Sequence, residues 1–168
     1  MNEKIFFEWA TDTIIITIVY HVIIIGSLLY LYKEFTDTDS RARRLGMVAI
    51  AVFLVGVNIF LSTMTPLYVK YNDEEIRIEC LIGGRSIRYD DITEIQSIGP
   101  DMLSRSVRKM ASGGANGYVG LFSNKKLGNY YMYATQKSNL VLITTPERKY
   151  VISCSAAEQL VEYVKNKI

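Results

Sequence analysis

The chain has 168 residues, with 19 Lys and Arg against 17 Asp and Glu and a formal net charge of +2. So small an excess carries no basic stripe or patch of the size nucleic acid would require, and no nucleic-acid partner is expected. Two cysteines, Cys80 and Cys154, and a single histidine fit neither a disulfide-dense scaffold nor a zinc site, and no metal or cofactor is expected.

Residues 1–12 read MNEKIFFEWATD. The start is mixed in charge, and no Ala-x-Ala cleavage site follows the first apolar run, so this end reads as an uncleaved anchor rather than a secretory signal. Phe6, Phe7 and Trp9 stand where amphipathic rings settle at the headgroup level of a bilayer, and Tyr68 and Tyr71 repeat the pattern further on.

Two apolar runs follow, Thr13 to Tyr32 and Leu45 to Thr65, and neither contains Asp, Glu, Lys or Arg. Each is about twenty residues long, the length of a helix across the hydrocarbon core. Neither shows the polar stripe of a soluble core helix. They read as a two-helix transmembrane hairpin within residues 1–65. Polar groups at this depth need partners. Pairing the helices antiparallel about Tyr32 and Gly46 brings His21 opposite Val57, beside Asn58. A His21–Asn58 hydrogen bond would satisfy both and set the register; a proton relay is the functional alternative, but no acid is present to complete it.

The connecting loop carries Lys33, Arg41, Arg43 and Arg44, against Lys4, Lys70 and Arg77 near the other ends. By the positive-inside count the loop is cytoplasmic, and the N-terminus and residues 66–168 lie outside the cytoplasm.

Pro66 ends the second run, and the period changes from helical to alternating. YVKYND, EIRIECLI and RSIRYDDITEIQSI read as half-buried strands separated by turns at Asn72-Asp73 and Gly83-Gly84. The polar stretch 99–117 reads as a long loop with a short helical turn. Strand patterns resume as YVGLFS, NYYMYATQ, NLVLITT and KYVISC, in the manner of an antiparallel meander. Tyr130, Tyr131 and Tyr133 put aromatics on both faces of one strand: one face for the core, the other free for a partner. The last element is an amphipathic helix. Ser155 and Glu158 have capping-box spacing, and Ala157, Leu160, Val161, Val164 and Ile168 form its apolar stripe.

The segment from Gly117 to Val164 resembles the bacterial PH-like domains. The residues that carry the likeness are Gly117-Tyr118-Val119-Gly120 with Phe122, Gly128, Tyr133-Ala134-Thr135, Ile143-Thr144-Thr145 and Tyr150-Val151-Ile152-Ser153. The resemblance covers residues 67–168. It implies an α+β protein: a transmembrane helical hairpin, then a PH-like antiparallel β-barrel or sandwich of two packed sheets, and a capping C-terminal α-helix. It also implies a bacterial cytoplasmic membrane as the location. Ser153-Cys154 departs from the Ser-Pro that more often stands at the helix entry.

No reaction chemistry is legible. The Gly113–Gly117 run lacks the Lys-Ser/Thr of a P-loop, and the sole histidine lies in an apolar helix. Cys80 and Cys154 read as small buried residues, or as a bridge should their strands be neighbours. Arg105, Arg108 and Lys109 form the best candidate contact for an anionic ligand. Two readings follow. The first is a non-catalytic membrane-anchored binding or assembly module that presents its β domain to a protein partner or to a second copy. The alternative is a receptor for an anionic lipid or small ligand through the basic loop 99–117.

Overall fold

Nothing in residues 11–37 stops a helix, since the stretch holds no proline and a single tolerated glycine. The computed structural model of the chain describes residues 3–168, and in it α1 spans Thr11–Asp37. A three-residue loop leads to α2, Arg41–Thr63, whose N-cap Ser40 accepts a hydrogen bond from the Arg43 N–H. Both helices are long and apolar enough to cross a membrane, and none of their most apolar stretch is buried by the rest of the chain.

Four strands form the first sheet: β1 (Glu3–Phe6), β2 (Pro66–Tyr71), β3 (Glu75–Cys80) and β4 (Gly84–Arg88), in that spatial order and antiparallel throughout. The first strand is a correction to the sequence reading. Ile5 and Phe7 point into the core rather than lying at a bilayer interface, and Tyr71 is 3% exposed and donates a hydrogen bond to Glu3. Phe6 stays exposed and meets Tyr68 edge to face. The alternation of Ile76 and Ile78 against Arg77 holds, with both isoleucines fully buried. Asn72 makes the β2–β3 turn by accepting from the N–H groups of Glu74 and Glu75.

Six strands form the second sheet: β5 (Glu94–Ile98), β6 (Val107–Gly114), β7 (Gly117–Asn124), β8 (Gly128–Ala134), β9 (Leu140–Thr144) and β10 (Lys149–Ser153). Their spatial order is β5-β9-β10-β8-β7-β6. The expected meander fails here in one pairing, because β10 lies parallel to β8. The cause is burial. Tyr150, Val151 and Ile152 are covered on both faces, so this strand belongs in the middle of the sheet, as an uninterrupted apolar run should. The sheets stack as a sandwich and do not close into a barrel. The expected long loop 99–117 is also corrected: only Pro100–Leu103 forms a 3₁₀ turn, while residues 107–114 pair with β7.

Helix α3, Ala157–Lys165, closes one end of the sandwich with Leu160, Val161 and Val164 packed into the inter-sheet core. Ile168, assigned to the same stripe, is exposed. The capping box does not form: Ala156 occupies the N-cap with no side-chain bond, and backbone pairing of Cys154 with Asn139 sets the helix entry. Cys80 and Cys154 are free, and burial pushes both thiols up to about 11, so they stay protonated and inert at neutral pH.

Candidate functional site

The stretch expected to be a basic loop folds into the wall of a cleft. Residues 100–106 lie across the outer face of the second sheet, held there by Asn124. Its side-chain amide donates to the Met102 carbonyl at 2.8 Å and to Ser106 Oγ at 2.9 Å. Tyr130 donates to the same Ser106 oxygen at 2.7 Å, and Lys126 pairs with Asp101 at 3.0 Å. So tethered, the segment turns sharply at Arg105, which sits in the left-handed region at φ 56°.

Beneath it opens a cleft of about 400 Å³. Arg105 and Arg108 stand on its wall, and Lys137 joins them from the β8–β9 loop. Its floor is aromatic: Tyr118, and the rings of Phe122 and Tyr130 stacked 5.9 Å apart. Lys137 Nζ rests 4.6 Å from the Tyr118 ring centre. Arg108 runs along its own strand, and Gly113 leaves it room, because a methyl there would come within 2.5 Å of a guanidinium nitrogen.

Among the described residues none of these three cations pairs with a carboxylate, and the lining contains no acid or imidazole. Three positive charges over a partly desolvated floor attract an anion, and the two guanidiniums offer forked donors for a carboxylate or phosphate. The lining holds no carboxylate or imidazole to take a substrate proton at neutral pH, and burial raises the pKa of the Tyr130 phenol at the floor still further.

Of the three expected residues, Arg105 and Arg108 converge and Lys109 does not. A register shift between Arg108 and Met110 marks a β-bulge, and Lys109 donates to Asn129 at 2.8 Å instead. Lys137 lies far along the chain from the basic set 105–109, between the NYYMYATQ and NLVLITT strand patterns, and only the fold carries it across to the Tyr118 ring on β7.

The expected His21–Asn58 bond is not formed. His21 Nδ1 lies 2.7 Å from the Thr17 carbonyl, and Asn58 Nδ2 has no partner among the described residues. The polar link between the helices comes from the β6–β7 hairpin tip. Asn116 donates its N–H to Thr17 Oγ1 at 3.0 Å and its side-chain amide to Ser62 Oγ at 3.2 Å. Thr17 and Ser62 stand within a residue of the antiparallel register expected from sequence. Asn116, read as part of a flexible turn, is 7% exposed with φ 58°. An asparagine in an Asn-Gly turn was its sequence signal.

The hairpin tip also fixes the cleft's address. Gly113 and Tyr118 form the rung next to the Gly114–Gly117 turn, which packs on Ile16 and Thr17 of α1. The β8–β9 loop is tied to the same place, since Ala10 N–H donates to the Thr135 carbonyl.

Residues 67–168 match the bacterial PH domain family. The chain belongs to that family. No curated protein matches it, and no solved structure does. A PH domain is a fold that hosts binding sites rather than a shared reaction, so the family does not name the ligand of this bacterial PH domain.

Proposed function

We propose that this bacterial PH domain is a membrane-tethered, non-catalytic binding module, and that the Arg105–Arg108–Lys137 cleft takes the headgroup of an anionic lipid. The observation that carries the reading is the convergence of three cations, drawn from three segments and paired with no carboxylate among the described residues, on a cleft whose Gly113–Tyr118 rung adjoins the hairpin tip that grips α1 and α2. The two helices supply the membrane side of the argument. A surface of exposed isoleucine, leucine and phenylalanine this extensive is stable against lipid and costly against water. With the helices in the bilayer, the Thr17–Ser62 level lies at its edge, and the Gly113–Tyr118 end of the cleft is the part nearest the headgroups. A protein partner, the first expectation from sequence, is placed second because it has no comparable convergence of side chains to explain.

Native mass spectrometry of the full chain in detergent, with phosphatidylglycerol or phosphatidylcholine added, tests the proposal. The wild type should retain the anionic lipid preferentially. The triple change Arg105→Ala, Arg108→Ala, Lys137→Ala should lower retention by about a hundredfold, at roughly 1 kcal/mol per cation near the headgroups. Lys109→Ala should leave it unchanged, because Lys109 faces Asn129. Competition by inorganic phosphate would show that a free anion suffices. Equal retention of the neutral lipid, or an equal loss with Lys109→Ala, would overturn the assignment.

The charge count at the helix ends, four basic residues against three, favours an extracytoplasmic domain. A reporter fused after Ile168 that works only outside the cytoplasm should be active; activity of a cytoplasm-only reporter there would reverse the orientation.

A further inference from the structure

On the opposite face of β6–β8 from the cleft, the end of α2 and the sheet enclose a second cavity of about 330 Å³. We propose that this cavity takes an acyl chain of a membrane lipid. The inference rests on the membrane reading above and is independent of the headgroup cleft.

Strand alternation separates the two sites. Tyr118, Phe122, Tyr130 and Met132 face the basic cleft, while Val119, Leu121, Tyr131 and Tyr133 face the cavity. Its other wall is the last stretch of α2, with Phe60, Leu61 and Met64. No charged side chain lines it. Of its polar side chains, Asn116 donates to Ser62 and Ser112 donates to the Ala115 carbonyl. Apart from the hydroxyls of Tyr131 and Tyr133, the side chains left to meet an occupant are apolar. An apolar cavity of about 150 Å³ stays dry and takes up benzene, and this one has roughly twice that volume.

The occupant follows from where the cavity opens. Phe60 is 60% exposed and Met110 is 80% exposed, so the rim runs without a polar break onto the outer surface of α2. Phe60 and Leu61 precede Ser62, whose bond to Asn116 marks the polar boundary, so they stand on the hydrocarbon side of it. In a bilayer the material against them is lipid tail. Met64 and Met110, unbranched and adaptable, suit a flexible chain whose conformation varies.

The full chain in nanodiscs containing a phospholipid with a photoactivatable acyl chain provides the test, read by mapping labelled peptides. Labelling is expected on the 107–124 strands as well as on both helices. Leu121→Trp, which fills the cavity, should lower strand labelling roughly tenfold and leave helix labelling intact. Met110→Trp, an exposed rim position that folding tolerates, should do the same by blocking entry. Labelling confined to the helices, or strand labelling insensitive to both changes, overturns the acyl-chain site alone. Absence of label on helices and strands alike overturns the membrane reading with it.

Discussion

Gly120→Ala is expected to destabilise the folded domain more than any other single methyl addition. Gly120 sits at φ +118°, a conformation side chains rarely adopt, and a methyl there would lie 2.3 Å from the Met110 carbonyl oxygen and 2.7 Å from the Ala111 Cα. Both neighbours are backbone of β6, so nothing flexible can yield. Strained backbone and steric overlap together should cost about 3 kcal/mol or more, lowering the melting temperature by roughly 15 °C for a domain of this size. Gly128→Ala is the control. Gly128 also has positive φ, at +71°, but a methyl there meets nothing within 4 Å. It should cost only the left-handed penalty, about 1–2 kcal/mol. Thermal unfolding of the two variants checks the account, and equal losses would refute the close approach of β6 and β7. The result bears on both proposed sites, since this strand pair is the wall between them.

The second large effect concerns Asn116. Asn116→Ala removes the bond to Ser62 and puts a poor residue at φ 58°, so it should cost about 2 kcal/mol and free the hairpin tip from the helices. Asn116→Gly restores the backbone preference and isolates the side-chain bond, at about 1 kcal/mol. Hydrogen exchange over residues 107–118 should rise sharply in the alanine variant and modestly in the glycine variant. If the two behave alike, the left-handed turn is not what holds the tip. Because the tip carries Gly113 and Tyr118, releasing it should also weaken anionic-lipid retention without touching any of the three cations.

Much of the architecture is legible from local pattern. The charge-free runs at 13–32 and 45–65, the change of period at Pro66, the turns at Asn72-Asp73 and Gly83-Gly84 and the terminal apolar stripe all rest on residues a few positions apart, and they announce themselves. The PH resemblance over 67–168 adds the sandwich with its capping helix. The misreadings share a cause. Residues 99–117 look like a loop because their polar and glycine residues alternate weakly; β6 is an edge strand whose first four residues, 107–110, are exposed, so its sequence carries little apolar period.

The candidate site was half visible. Arg105 and Arg108 lie close in sequence and drew attention together, whereas a bulge turned Lys109 away and a separate loop supplied Lys137. The strand at Glu3–Phe6 pairs with β2 across the whole helical hairpin, and its four residues are too few for any period to show. Composition and spacing therefore settled the kinds of element and the solvent each prefers, because burial preference is a property of the residue and its near neighbours. Which segments meet, and so which cations share a cleft and which asparagine ties the helices, was settled by packing between residues distant along the chain, where register depends on the fit of whole faces.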